Sequence, residues 1–207
     1  QGFFDDYIRE NSEVRFDVLV HSHLFEHVYS PNEFIKNVKS VLEKDGLHIF
    51  SLPNMKEMLE RKYLNCLNFE HTIYLPEQLV DNILENSGFE IVEKNYFMED
   101  HSIFYCVKNN KSPTPQRHVL LSDTSYNKIV FNKFWNHIWD DIKLVDKKIS
   151  EYDGPTYFFG AHIFSQFLDY GIKSKSIVGV LDNDRSKVGK RLYGGDLQVF
   201  SPNTLKG

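Results

Sequence analysis

Histidines and carboxylates stand at several places in this chain where their spacing could support acid–base or metal chemistry. Four of the nine histidines follow predicted strands directly or lie in the next turns, and glutamates stand beside two of them: His21, His23, Glu26, His27, Glu70 and His71. Imidazole is the side chain whose ordinary pKa lies near neutral pH, so His71 or His101 could act as a general base. Glu70 or Glu26 could orient an imidazole or hold a ligand hydroxyl.

Two other interpretations of these residues stay open. His21, His23 and His27 could bind a transition metal, but they lack a paired signature such as His-Glu-x-x-His. They could also be strand-end and turn residues that form only local hydrogen bonds. We expect no bound metal.

An alternation of strand and helix patterns supplies the scaffold for these residues. Apolar runs typical of strands occur at residues 16–21, 47–52, 89–97 and 102–107. Ser30 as N-cap, Pro31 at the first helical position and Glu33 three residues after the cap predict a helix start, and residues 44–46 should stop that helix. A second helix, opened by Pro76 and capped by Gly88, precedes the last two strands.

The connection lengths predict how these strands pair. Strand, helix, strand, helix, strand implies parallel neighbours with right-handed crossovers. Only residues 98–101 separate the last two strands, too few for a crossover, so those strands should pair antiparallel. Ligands bind beyond the carboxyl ends of parallel strands, so we expect a site at that edge. Its predicted lining includes His21, Ser22, His23, Asn54, Asn68 and Glu70-His71.

Three segments are predicted: a partial α/β domain over residues 1–110, a linker and long connecting helix over 111–153, and a second partial domain over 154–207. The helix, residues 126–152, carries an apolar stripe that either packs between the two halves or forms a dimer contact. After it, a strand at 156–159 leads into Gly160-Ala161-His162, and a strand at 176–181 ends in Asp182-Asn183-Asp184. This arrangement is typical of a nucleotide-binding β-α-β unit.

Composition narrows the class of protein. The 207 residues carry a net charge of −5, which disfavours nucleic acid as a partner, and no apolar run is long enough to span a membrane. Cys66 and Cys106 cannot form a disulfide framework, which favours the cytoplasm. Residues 154–207 hold seven Lys and Arg against four acids, so this quarter is the likelier place for an anionic ligand.

A family resemblance rests on the order of these pieces. The strand at residues 16–21 with the Leu24-Phe25-Glu26-His27-Val28 turn, the helix after Pro31, and the turn at 45–46 into the strand that ends at Pro53-Asn54 resemble the second half of a class I S-adenosylmethionine-dependent methyltransferase. The antiparallel hairpin agrees with that fold. The resemblance implies the C-terminal half of a Rossmann-like methyltransferase sheet, with His21, Ser22, His23 and Glu26 near the methyl donor.

A narrower resemblance concerns the last quarter of the chain together with Glu70, His71 and His101. Residues 157–162, 180–190 and 197–202 resemble the C-terminal domain of sugar C-methyltransferases, which methylate a nucleotide-linked deoxysugar through an enolate. The resemblance implies His71 as general base, with Glu70 and His101 orienting the substrate. It also implies a Rossmann-like substrate domain in the last quarter. The implied substrate-binding residues are Asn54, Asn68, Gly160, Ala161, His162, Asp182 and Lys187.

The family's donor site needs a glycine-rich turn that does not occur before Phe16, so we expect this chain to lack the donor-binding half of a longer enzyme. The predicted function is methyl transfer from S-adenosylmethionine to a nucleotide-linked sugar or a surface-polysaccharide precursor, at carbon or at oxygen. A non-catalytic module that binds nucleotides or nucleotide-sugars through residues 154–207 is the alternative. Titration with nucleotide-sugars separates the two.

Overall fold

The computed structural model describes residues 4–11, 13–68, 70–98, 101–110, 112 and 121–206. The chain divides into two compact units, Gln1–Lys128 and Ile129–Gly207. Each unit has its own β-sheet and its own buried apolar cluster.

The first unit is built on a four-stranded mixed sheet. Its strands are β1 (Phe16–Ser22), β2 (Leu42–Pro53), β3 (Glu90–Phe97) and β4 (Ser102–Lys108), in the order β1-β2-β4-β3. β1 and β2 are parallel, and β4 pairs antiparallel with both β2 and β3. The predicted antiparallel hairpin is confirmed.

The position of the reversed strand differs from the expectation of neighbouring parallel strands. β4 lies between β2 and β3, where Pro53 pairs with Ser102 and Leu47 with Lys108, so β2 and β3 are not neighbours. The short loop determines that β3 and β4 run antiparallel. It does not determine which strand pairs with the other edge of β4. The insertion brings the start of β4 to the edge where β1 and β2 end.

Four helices accompany this sheet: α1 (Phe4–Glu10), α2 (Pro31–Ser40), α3 (Met55–Glu60) and α4 (Glu77–Asn86). Short 3-10 turns occur at Phe25–His27 and Leu64–Leu67. The apolar faces of α2 and α4 cover the sheet, with Ile35, Val38, Val80 and Leu84 fully or almost fully buried beside Phe50 and Tyr105. Burying such side chains stabilises the fold by about 1.5–3 kcal/mol each.

Two local expectations for α2 are corrected. Ser30 is the N-cap but makes no side-chain capping hydrogen bond, so the capping box with Glu33 does not form. The helix ends at Ser40 rather than at residues 44–46, because β2 already begins at Leu42. Asp45 instead has a positive φ of 66°, and its N–H donates to the carbonyl of Asn109 at 2.8 Å.

The second unit contains a three-stranded parallel sheet, β5 (Thr156–Phe159), β6 (Ile177–Leu181) and β7 (Val199–Phe200), in that order. Helix α6 (Ile163–Gly171) joins β5 to β6, as the alternation of strand and helix patterns predicts. Phe158, Val180, Leu192 and Val199 form its buried apolar cluster. A 3-10 helix follows at Pro202–Lys206.

Helix α5 (Leu121–Ser150) begins earlier than the predicted start near residue 126, so the predicted linker ends at residue 120 at the latest. Most of that linker lies outside the described residues. Phe134, Ile138, Ile142 and Ile149 of the apolar stripe are buried, and the Trp135 ring meets that of Phe167 on α6 with centroids 6.4 Å apart. A dimer contact through this helix stays a prediction. No helix among the described residues is long and apolar enough to cross a membrane.

Candidate active site

The candidate site of the first unit lies where β1 and β2 end and β4 begins. His23 directly follows β1 and has a positive φ of 47°, a strained conformation for a residue with a side chain. Its N–H donates to the carbonyl of Ser51 at 2.9 Å, which ties it to β2. The side chain of His23 therefore leaves the sheet at the edge that the sequence predicts for ligands.

Glu26 is the central residue of this edge. It is only 2% exposed, and neither carboxylate oxygen has a hydrogen-bond partner among the described residues. His23 Nδ1 lies 3.2 Å and His27 Nε2 lies 3.9 Å from Oε1, which are ion-pair distances without hydrogen-bond alignment. A buried carboxylate without hydrogen bonds is costly, because burial removes the water that would solvate it.

A second chain of contacts leads from His23 to the start of β4. His23 Nε2 lies 3.0 Å from the Ser102 hydroxyl, and the same hydroxyl lies 2.5 Å from His101 Nδ1. Ser102 is buried and has one proton to donate, so one of the two imidazoles must donate to it. His101 itself is exposed. The buried hydroxyl thus connects an exposed imidazole to the imidazole beside Glu26.

His27 and His71 stand on the other side of Glu26. His27 Nδ1 lies 2.8 Å from the carbonyl oxygen of Glu70, and His71 Nδ1 lies 3.2 Å from that of Cys66. A carbonyl only accepts, so each ring donates from Nδ1, and in the neutral form Nε2 keeps its lone pair. Burial lowers the pKa of His71, although the Cys66 carbonyl opposes this effect.

Main-chain hydrogen bonds hold the His71 segment beside Glu26. The N–H groups of Thr72 and Ile73 donate to the carbonyl of Glu26 at 3.0 and 3.3 Å. The rings of His27 and His71 contact one another edge to face, with centroids 5.0 Å apart and an interplanar angle of 70°. The structure therefore brings His23, His71 and His101 of the predicted set to one edge.

The remaining polar residues predicted for substrate have structural partners at this edge. Asn54 is the N-cap of α3, and its side-chain oxygen accepts from the Glu57 N–H at 3.5 Å. The Asn68 side chain accepts from the Glu70 N–H at 3.3 Å, while the Glu70 side chain is exposed. Asn54 is buried, and its predicted contact with substrate stays a prediction.

His21 does not lie at the predicted edge, and this expectation is corrected. Its Nε2 lies 2.9 Å from Nε2 of His48, and both rings pack against Phe50 with centroids 5.3 and 4.6 Å away. Side chains alternate along a strand, so His21 points to the face opposite that of Ser22. Burial lowers the pKa of His21 to about 4 and also lowers that of His48, which the charge of His21 lowers further.

His48 is the residue of this pair that the sequence motifs do not indicate. His48 is completely buried. Among the described residues, neither its Nδ1 nor that of His21 has a hydrogen-bond partner. Its position in β2, two residues before Phe50 on the same face, is the feature that could have revealed it.

The residues predicted near the methyl donor fit that group only in part. The Ser22 hydroxyl shares a hydrogen bond of 2.7 Å with that of Ser51, Glu26 is buried, and His21 faces the core. Ser22 and His23 are the exposed members, and they offer a nucleoside one hydroxyl and one imidazole. These four residues alone do not form a cradle for a nucleoside.

In the second unit the predicted residues at the glycine turn do meet. Gly160 has a φ of +94°, and a Cβ there would touch nothing within 4 Å. The Ala161 N–H donates to Asp182 Oδ2 at 2.7 Å, and the Asp184 N–H donates to Oδ1 at 2.8 Å. Lys187 Nζ lies 3.3 Å from Oδ2 and donates to the carbonyl of Ala161 at 3.1 Å.

These bonds give Asp182 a structural role. Hydrogen bonds from the backbone of Asp184 and Ala161 and the charge of Lys187 hold the pKa of Asp182 below its ordinary value. The Ala161 N–H is already engaged by a carboxylate, so it is not available to a pyrophosphate in this conformation. His162 is the N-cap of α6, and its exposed ring contacts Phe164. Binding of a substrate by these five residues stays a prediction.

A comparison with known families gives one match, and it lies in the first unit. Residues 1–94 match the sequence model of a family described as a methyltransferase domain. The match supports the predicted methyltransferase class for these residues, and with it S-adenosylmethionine as the methyl donor. The narrower resemblance to sugar C-methyltransferases is not part of that match. No curated protein matches the chain.

The solved structures that match this chain are similar to it only at low sequence identity and low TM-score. A SAM-dependent methyltransferase from Archaeoglobus fulgidus is 14% identical, with a TM-score of 0.42 over 52% of this chain and 66% of that one. The magnesium protoporphyrin IX methyltransferase of Synechocystis, solved with bound SAH, is 16% identical, with a TM-score of 0.37 over 47% and 46% of the two chains. This chain spans less than two thirds of each of those proteins.

Proposed function

We propose that this chain contributes the substrate side of an S-adenosylmethionine-dependent methyltransferase whose acceptor is a nucleotide-linked sugar or a surface-polysaccharide precursor. The methyltransferase match over residues 1–94 supports the class of reaction. The sugar acceptor rests on the sequence resemblance of residues 157–202 to the C-terminal domain of sugar methyltransferases. When bound, S-adenosylmethionine supplies an electrophilic methyl group.

The observation that carries the proposed role of this edge is the orientation of His71. Its Nδ1 donates to the carbonyl of Cys66, so Nε2 is the nitrogen that can accept a proton. As the acceptor hydroxyl or carbon acid is methylated, its proton passes to His71 Nε2. Burial lowers the pKa of this imidazole, which keeps it unprotonated and able to act as a base at neutral pH.

Two further residues orient the acceptor in this proposal. His101 is exposed and is held through Ser102, which fixes the direction of its ring. The Glu70 carboxylate is exposed beside His71 and can accept a hydrogen bond from a sugar hydroxyl. Both side chains touch the substrate in this arrangement, and His71 alone receives the proton.

The test replaces the proposed base. In the full-length natural protein, His71→Ala should lower kcat for methyl transfer to a nucleotide-linked sugar by about 10²–10⁴-fold, the usual contribution of a general base. Transfer of a labelled methyl group to a panel of nucleotide-linked sugars measures it. His137→Ala is the matched control, because His137 lies in the second unit and pairs with Asp141 on its own helix at 3.2 Å. An unchanged kcat in His71→Ala would contradict the assignment, and transfer to no sugar nucleotide would contradict the acceptor class.

A further inference from the structure

Glu26, His27 and His71 bring three atoms of metal-ligating type together at the candidate site. One ligand atom from each residue lies within 4.8 Å of the other two. We propose that these three side chains form a binding site for a divalent transition-metal ion of the zinc type, in contrast to the expectation from the sequence that no metal is bound.

The orientation of the two imidazoles is the first argument. His27 donates from Nδ1 to the carbonyl of Glu70 and His71 donates from Nδ1 to that of Cys66. Metal-bound histidines in proteins commonly donate their other N–H to a backbone carbonyl, which fixes the ring and makes the ligating nitrogen more basic. Both rings therefore already have the outer hydrogen bond that such a ligand needs.

The carboxylate supplies the second, independent argument. Glu26 is 2% exposed, and neither of its oxygens has a hydrogen-bond partner among the described residues. Its Oε1 lies 3.9 Å from His27 Nε2, which carries a lone pair when the ring is neutral. A cation coordinated by all three groups would compensate the buried charge of Glu26.

The ligand types select the class of cation. Two imidazoles and one carboxylate suit zinc and neighbouring first-row metals, whereas magnesium and calcium prefer oxygen ligands. Bonds of roughly 2.0–2.1 Å in a tetrahedral site place ligand atoms about 3.3–3.4 Å apart, so no two of the three ligand atoms need to approach by more than about 1.5 Å. Three protein ligands leave a fourth position for water or a substrate oxygen.

The metal site does not depend on the proposed methyl transfer. A cation would occupy the same lone pair of His71 that the proposed base uses, so the two roles compete for one atom. Binding is therefore measured on this chain without substrate or methyl donor. Failure of metal binding leaves the base assignment standing, and loss of turnover alone leaves the metal site standing.

The experiment is a titration of chelator-treated protein with Co²⁺, followed by its visible d–d absorption, and then displacement by Zn²⁺. We expect saturation at one ion per chain, with a tetrahedral or five-coordinate spectrum. Glu26→Gln, His27→Ala and His71→Ala should each weaken the affinity at least about tenfold, since removal even of an outer partner typically costs 10–100-fold. His162→Ala should leave it unchanged, because His162 lies exposed in the second unit.

Three outcomes overturn the proposal. The first is the absence of saturable Co²⁺ or Zn²⁺ binding by the folded protein. The second is binding that Glu26→Gln and His71→Ala both retain, which would place the ion elsewhere. The third is that binding is lost only in variants that circular dichroism shows to be unfolded. In that case a folded His27→Gln variant would still bind the ion as the unchanged protein does.

Discussion

Among the described residues each unit has one buried carboxylate near the end of a parallel strand, and the two carboxylates have opposite environments. Asp182 in the second unit accepts two backbone N–H groups and meets Lys187. Glu26 in the first unit is more deeply buried and has no hydrogen-bond partner among the described residues. The first arrangement satisfies the charge within the fold, and the second leaves it unsatisfied.

This difference separates a structural acid from a functional one. A carboxylate whose oxygens are all engaged holds a turn together and has little capacity left for a ligand. One that faces imidazole lone pairs costs stability unless a proton, a cation or a substrate group completes it. The glycine turn of the second unit has the more familiar nucleotide-binding pattern, yet the first unit has the groups that still need partners.

The largest expected contrast between the units is their response to acid. The folded first unit keeps His21 and His48 neutral, because burial lowers the pKa of His21 to about 4 and also lowers that of His48. The unfolded chain protonates both rings below about pH 6.5, so this stability is complete above that pH and is lost as the pH falls toward 4. We expect the shift of His21 alone to cost the first unit about 3 kcal/mol over this window, and the shift of His48 adds to this loss.

The second unit should not share this loss. The pKa of Asp182 is lowered from 3.8, so its contribution disappears only below that pH. Both tryptophans, Trp135 and Trp139, lie in the second unit, so their fluorescence in urea reports that unit, while hydrogen exchange of β2 and β4 amides reports the first. The double variant His21→Phe/His48→Phe should remove the loss; if the step persists, other groups, such as the histidines around Glu26, cause it.

The next largest effect is expected from removal of the satisfied carboxylate. Asp182→Ala deletes the acceptor for the Ala161 and Asp184 N–H groups, which should lower the free energy of unfolding of the second unit by about 2–3 kcal/mol. Urea unfolding followed by tryptophan fluorescence measures it. The control Asp184→Ala removes an exposed side chain that accepts from the Ser186 N–H and should have a much smaller effect. Equal losses in both variants would contradict the structural role of Asp182.

Neutralising the unsatisfied carboxylate should act in the opposite direction. In metal-free protein, Glu26→Gln should leave the first unit unchanged or stabilise it by about 1 kcal/mol, because no hydrogen bond is lost and the new amide can donate to His27 Nε2. Thermal unfolding at pH 7, with hydrogen exchange to assign the unit, measures this. A loss as large as that of Asp182→Ala would mean that Glu26 is a structural acid too.

The smallest effect is expected at Lys187. Its side chain is 40% exposed, so solvent screens its ion pair with Asp182, and Lys187→Met should cost only about 0.5 kcal/mol. The cost should shrink as salt is added, which urea unfolding at two ionic strengths can measure. A larger, salt-independent loss would show that the bond to the Ala161 carbonyl, rather than the charge, is what matters.

Much of the fold could be predicted because its strands and helices carry clear apolar periodicity. The strands at residues 16–21 and 156–159 and the helix after Pro31 begin where predicted, and the short connection at 98–101 correctly implies an antiparallel pair. The place of β4 in the sheet could not be predicted, because a neighbour from a distant part of the chain depends on tertiary packing.

The location of the site could be predicted from the sequence, but the contacts of its side chains could not. Histidines do gather at the edge where β1 and β2 end and β4 begins, and His23, His71 and His101 lie there. The face of His21 and the burial of Glu26 were missed, because charge and residue type do not state which neighbours a side chain will have. The alternation of β2, with His48 in step with Phe50, was the one available indication of the inner histidine pair.

The central position of β4 also sets the order in which the site can be assembled. Ser102, which joins His23 to His101, lies 79 residues after His23 and begins the last strand of its sheet to be synthesised. β1, β2 and β3 leave the ribosome before it, and β3 joins the sheet of β1 and β2 only through β4, which pairs with both β2 and β3. The contacts of the site therefore require that β4 has been synthesised, and a chain interrupted before Ser102 would have the histidines without the hydroxyl that joins two of them.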